Sequence, residues 1–442
     1  MIGYALTFPL TSLVVQVAGS SRLKSGWLRL LLCLLAATVM ATLAGVRDFE
    51  VGGPDVLHYG NEVFDAAWAS PSFGHLLEWT RATWMEGDDG YFFLNFLVSR
   101  FTSDPRWFYF WLSMLNSAAV LGAIMLSRRL GSAGLMWLTY LALFYIDTFN
   151  LLRQSPALAL GLLGIALVAR GRPIVGLAVG LTGVAFHSSA VAFVLPWVAF
   201  WSVARRDVLP RKVLVAVVLA AAVAVANIGH LFELWGAFTD GQFLGYLSAD
   251  HTLGGGRALV RQDVLRIAAV VAGLIVAKTV YDRRGAGIST GPHDAAHASC
   301  AETARRDAVV LGLIVLLLVD LMLVPVRPMA FTIHRFMLFF GYAAVLGLPA
   351  VAATFPVRRH LADAVLAAVL GAETILRVVN TEPGRHGVDF TSLTLGGWFS
   401  RYGGVVGWLA ALLLLVPAAV LGGFALTKNP AAADHPATRH ER

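Results

Sequence analysis

Long apolar runs, separated by short clusters of arginine and lysine, set the pattern of this chain. A helix of about twenty apolar residues crosses a hydrocarbon layer, and the pattern predicts such spans at 27–46, 107–126, 213–234, 264–281, 309–326, 331–353, 361–379 and 405–426. Shorter runs at 2–17, 135–152, 157–169, 173–186 and 190–203 complete a set of roughly thirteen. The run at 90–101 is too short to span and suits a re-entrant or interfacial helix. Arg22 and Lys24, Arg128 and Arg129, Arg170 and Arg172, the cluster at 205–212, the pairs at 283–284 and 305–306, and Arg358 and Arg359 then all fall on one side. The positive-inside rule makes that side cytoplasmic, with the N-terminus external and the C-terminus cytoplasmic. The prediction is an all-α polytopic protein of the cell membrane: one transmembrane domain over 1–442, a flexible cytoplasmic loop at 282–306 and a flexible tail at 427–442. The first run lacks the basic start of a signal peptide and reads as a retained helix.

Composition agrees: 57% of residues are hydrophobic and 14% charged, with a mean hydropathy of +0.70, far from a soluble domain. A net charge of +7 would fit nucleic acid if it formed one patch. Here it sits in topology clusters, so no nucleic-acid partner is expected. Cys33 and Cys300 have no metal-ligand neighbours at a useful spacing, and Gly254–Gly256 lacks the lysine and context of a phosphate loop. No metal and no cofactor are expected.

The departures from the charge pattern carry the candidate chemistry. Arg47, Arg153, Arg327, Arg335, Arg377, His187 and His334 fall at or near the predicted external face. Ionisable groups at a bilayer are functional candidates, although arginine at a helix end also snorkels to the interface. Arginine's planar fork of donors suits diphosphate. The 48–89 segment, rich in acids, is predicted to be an external loop. Within it Asp55 and Tyr59 are four apart and share a face if helical; Asp55 either takes a proton, holds a sugar hydroxyl, or is a solvated acid or helix cap. His187 beside Ser188 and Ser189 reads either as a general base or as a cap at a helix break. His334 and Arg335 open a span, as ligands or interfacial anchors. Asp147, Asp320 and Glu373, in or near spans, either pair with arginines or line a wet cavity.

Several ordered pieces resemble the EpsG family, polytopic proteins related to Wzy-type polysaccharide polymerases. They are Arg47 followed by Gly53, Asp55 and Tyr59; Asp88-Asp89-Gly90-Tyr91 through Asn95; Asn150-Leu-Leu-Arg153-Gln154; Phe186-His187-Ser188-Ser189-Ala190; and Arg335. The chain departs from the family pattern at Asp88, where a glutamate is usual, at Pro54 for threonine, and at Ser155-Pro156 for alanine. The resemblance implies a membrane glycosyltransferase of the GT-C type that joins oligosaccharide repeat units, carried on undecaprenyl diphosphate, at the outer membrane face. It implies catalytic roles for His187, Asp55 and Arg153. Substrate-binding roles fall to Arg47, Tyr59, Asp88, Gln154, Ser188, His334 and Arg335. Either His187, helped by Asp55, or Asp55 itself is the base. Arginines take the place of a metal at the leaving diphosphate. Expected partners are the lipid-linked substrates, membrane lipids, a flippase and a chain-length regulator. Two other classes compete: a lipid-linked sugar flippase or transporter, which should show inverted repeats and charges at the membrane midplane, and a membrane O-acyltransferase acting on glycan.

Overall fold

A computed structural model describes residues 2–47, 55–83, 87–205, 294–323, 331–354 and 359–380, and all regular structure among them is helical. The predicted spans at 213–234, 264–281 and 405–426, the segments at 236–262 and 381–402, the tail at 427–442 and Arg327 lie outside the described residues.

Helix α1 (Ile2–Gly19) packs on α2 (Gly26–Gly45), and α2 packs on α6 (Arg106–Ser127). Between them in sequence come two short helices, α3 (Val63–Ala69) and α4 (Phe73–Ala82), and then α5 (Asp89–Ser99). Ser25 starts α2 by accepting the Leu28 N–H at 3.2 Å, as an N-cap does. Helix α7 (Ala133–Tyr140) continues through a wide π turn at Leu141–Tyr145 and a tight 3-10 turn at Ile146–Phe149. Helices α8 (Gln154–Ala169), α9 (Pro173–Leu181) and α10 (Val194–Ala204) follow, then α11 (Asp294–Leu323), α12 (Phe331–Gly341), α13 (Ala344–Thr354) and α14 (Arg359–Asn380). Helix α8 is central, lying against α6, α9 and α10, while α11 joins α10 to α12 and α13.

Among the described residues, three stretches are long and apolar enough to cross a membrane: Gly26–Gly45, Arg106–Ser127 and Arg335–Thr354. Thr7–Gly19, Ala133–Phe149, Gln154–Ala169, Pro173–Ala185 and Ser188–Ala204 are shorter apolar helical stretches. Two expectations change. The polar loop at 282–306 is helical from Asp294 onward; its alanine-rich stretch has high helix propensity and extends the apolar helix that follows. The acidic segment at 48–89 is folded from residue 55 into short helices rather than left as a solvated loop.

The side chains form two cores. The larger runs through the bundle, with Trp137, Tyr140, Tyr145 and Phe193 among its fully buried members. The smaller is aromatic and lies under the 55–99 segment, around Phe64, Tyr91, Phe92, Phe108 and Tyr109. Arg100, at the end of α5, donates to the carbonyls of Ala67, Trp68 and Ser70, satisfying the open end of α3. Leu152 belongs to this second core, so the chain just before α8 is where the two cores meet.

Candidate active site

That junction gathers the charged side chains. Asp55 begins a π-helical turn, Val56–Glu62, and its carboxylate lies near the backbone N–H of Leu152. Tyr59, one wide turn on, lies under Arg153, whose guanidinium carbon sits 3.4 Å from the ring centroid. Tyr59 is fixed from behind, since the Tyr91 hydroxyl donates to its carbonyl at 2.7 Å. Gly60 has no side chain because there is no room for one: a Cβ would fall 2.1 Å from the Tyr109 hydroxyl.

Asp88 precedes α5 and holds Arg153 at 2.6 Å, with the two side chains 4% and 12% exposed. The Ser188 backbone N–H lies near enough to the Asp88 carboxylate to favour its charged form. This requires α5 to begin against the 182–188 turn. Gly90 permits that approach, because a Cβ there would stand 2.8 Å from the Ala185 carbonyl oxygen.

Arg335 arrives from α12, on the far side of the sequence. Its Nη2 lies 3.9 Å from the Asp55 carboxylate, with side-chain exposures of 16% and 13%. Its Nη1 lies 3.4 Å from Nε2 of His187. Nδ1 of the same imidazole accepts the Ser189 N–H at 3.0 Å. Gln154 ties the two arginine-bearing helices together, donating from Nε2 to the Arg335 carbonyl at 2.7 Å.

Burial dominates the electrostatics. It pushes the Asp88 carboxyl up to about 6, against the opposing pull of Arg153. It raises Asp55 likewise, with Arg335 and Arg153 pulling the other way. Burial, and then the Arg153 and Arg335 charges, hold the His187 imidazole well below its usual value. Two guanidiniums, two carboxylates and a neutral imidazole thus share one nearly dry site. Such a site can bind an anion by exchanging internal counter-ions for external ones, and burial makes both of its carboxylates readier to accept a proton than a solvated acid.

Asp55, Tyr59, Asp88, Arg153, His187 and Arg335 therefore converge, with Gln154 as the fastener between helices. Ser188 contributes its backbone N–H while its side chain is exposed. His334 lies on α12, and its side chain is outside the described set. Arg47 is elsewhere: it is buried between the rings of Tyr109 and Phe149, at 4.5 and 4.4 Å, and donates to the Phe149 carbonyl at 3.3 Å. It holds the turn leading to Leu152 and Arg153. Asp320 and Glu373 are buried in the bundle. The sequence reading named Gly90 and Tyr91 within the motif that begins at Asp88 but gave them no role, and it did not single out the Leu152 N–H. Among the described residues, no group of three or more His, Cys, Asp or Glu could hold a metal ion.

The profile of the EpsG family matches residues 30–367, which include every member of this cluster. No curated protein and no solved structure matches the chain.

Proposed function

The chain belongs to the EpsG family, and from that premise we propose that it is a polymerase of surface polysaccharide, joining oligosaccharide repeat units carried on undecaprenyl diphosphate. The family itself points to a polysaccharide polymerase-like, multi-pass membrane protein with glycosyltransferase activity. Further parts of the proposal are a GT-C-like arrangement of about thirteen spans, a site at the external face, and action without a metal. A flippase supplies its substrates and a chain-length regulator acts beside it.

One observation supports the reading above the rest: two buried guanidiniums from different helices face one site, each beside a carboxylate. In the reaction a sugar hydroxyl attacks the anomeric carbon of a lipid-linked chain. The new carbon–oxygen bond forms as the bond to diphosphate breaks, and the electron pair leaves on the diphosphate oxygen. Arg153 and Arg335 meet that charge, a kind of stabilisation worth several kcal/mol, about 3 for one well-placed donor. The hydroxyl proton passes to Asp55. Its carboxylate is 3.9 Å from Arg335, too far for a hydrogen bond, so its lone pairs on that side stay available. Asp88, bound closely by Arg153, orients Arg153.

The test is reconstitution. Purified protein supplied with undecaprenyl-diphosphate-linked repeats should build a ladder of polymers, release undecaprenyl diphosphate and work undiminished in a chelator. In cells, deletion should collapse the surface glycan to a single repeat unit. Glycan of normal length that has lost only acetyl groups would instead identify an O-acyltransferase.

A further inference from the structure

The position of the proton on His187 follows from its two contacts. Nδ1 accepts the Ser189 N–H, and a backbone amide only donates, so Nδ1 bears no proton. The single proton of the neutral ring is then on Nε2. That atom faces Nη1 of Arg335 at 3.4 Å, and a guanidinium also only donates. Two donors face one another where His187 is 8% exposed. The Nε2 proton gains no hydrogen bond from the guanidinium it faces, and a buried donor is costly until it finds an acceptor. One oxygen accepting from both relieves it, and an anionic oxygen gains most because its bond to guanidinium is charge-assisted.

We propose that His187 is a neutral hydrogen-bond donor that, with Arg335, seats one anionic oxygen of the substrate's diphosphate, and that it takes no proton during transfer. This rests on the polymerase reading for the identity of the anion. The groups around the ring agree. Arg153 and Arg335 face it from the starts of α8 and α12, while Asp88 is engaged by Arg153 and Asp55 lies beside Arg335. A protonated His187 would forfeit the Ser189 bond and add a third cation beside two guanidiniums. In the transfer step the hydroxyl proton goes to Asp55 and the electron pair to the departing diphosphate oxygen. His187 keeps its Nε2 proton throughout, and the hydrogen bond it donates strengthens as that oxygen gains charge.

The decisive measurement is nitrogen NMR on full-length protein in lipid nanodiscs, with 15N-labelled histidine and the His187 signal assigned by its loss in His187→Gln. The expected result is a neutral ring protonated on Nε2 from pH 5.5 to 8, whose Nε2–H signal moves when undecaprenyl diphosphate is added. In parallel, His187→Gln, which keeps an N–H donor, should polymerise about tenfold faster than His187→Ala and retain the wild-type pH profile. An imidazolium at pH 7, a proton on Nδ1, or an Nε2–H signal indifferent to the diphosphate overturns the proposal. So do equal rates in the two variants, or loss of the acid limb of the pH profile in His187→Gln. If wild-type protein makes no polymer, the polymerase reading fails, while the tautomer and the response to diphosphate in the same sample still decide the role of His187.

Discussion

Arginine behaves differently at the two ends of helix α8. At its start Arg153, and nearby Arg335, are mostly buried and each lies beside a carboxylate. At its end, about 24 Å away by helical rise, Arg129, Arg170 and Arg305 line an open basin of about 810 Å³. There Arg129 pairs with Glu302 at 2.9 Å, but the two side chains are 69% and 72% exposed. Burial, and then repulsion from Arg29, Arg170 and Arg129 nearby, lower the Arg128 value. Hydration makes such crowding tolerable at a surface. A dry site has no such relief, so each charge must be answered by another. The residue type is the same at both ends; access to solvent decides whether its charge is answered by water or by a buried carboxylate.

The comparison breaks most visibly at Arg153. Arg153→Ala should cut polymerisation at least about a thousandfold, since it removes both charge and fork. It should also cost roughly 3–5 kcal/mol of stability, because Asp88 is left buried without its partner. Adding Asp88→Asn should restore most of the stability in a thermal-shift assay and none of the activity. Recovery of activity in that double variant would remove Arg153 from the reaction.

A smaller effect is expected from pH. Asp88 titrates at about 6, so polymerisation should fall as the medium is acidified through that value and Arg153 loses its counter-ion. Stability should move the other way. A carboxyl whose value is raised on folding binds its proton more tightly in the folded state. Its favourable contribution is complete below about 4, the unfolded value, and is lost as pH rises through about 6. The shift corresponds to about 3 kcal/mol. Melting temperatures of wild type and Asp88→Asn measured from pH 4.5 to 7.5 should show it: the two curves diverge as pH rises.

The least effect belongs to the open end. Arg129→Gln should change stability by no more than about 1 kcal/mol and leave the glycan ladder intact. A ladder shortened by that single change would show that the basin contributes to chain extension.

The apolar runs announced most of the bundle helices, because a run long enough to span has few other ways to satisfy its backbone. The segment at 55–83 was obscured by its own exposed acids. Glu62, Asp65 and Glu78 face outward while Val63, Phe64 and Leu76 are buried, and helices of seven and ten residues are too short for that period to stand out. At the site, residue type was readable but partnership was not. Arg47 reads like Arg153 in sequence, yet its neighbours are a carbonyl 102 residues away and two ring faces. The Ser189 N–H, which fixes the His187 proton, belongs to the backbone and leaves no trace in residue identity.

The Gln154–Arg335 hydrogen bond joins residues 181 apart, and this has a bearing on biogenesis. Both aspartates and Arg153 emerge from the ribosome long before the helix that carries Arg335. Until that late helix inserts, Asp55 lacks one of its two guanidiniums and Gln154 lacks the carbonyl it grips. The proposed site is therefore closed by one of the later pieces of chain to be made. A nascent protein stalled before Arg335 would carry that site incomplete, with Asp55 short of one guanidinium.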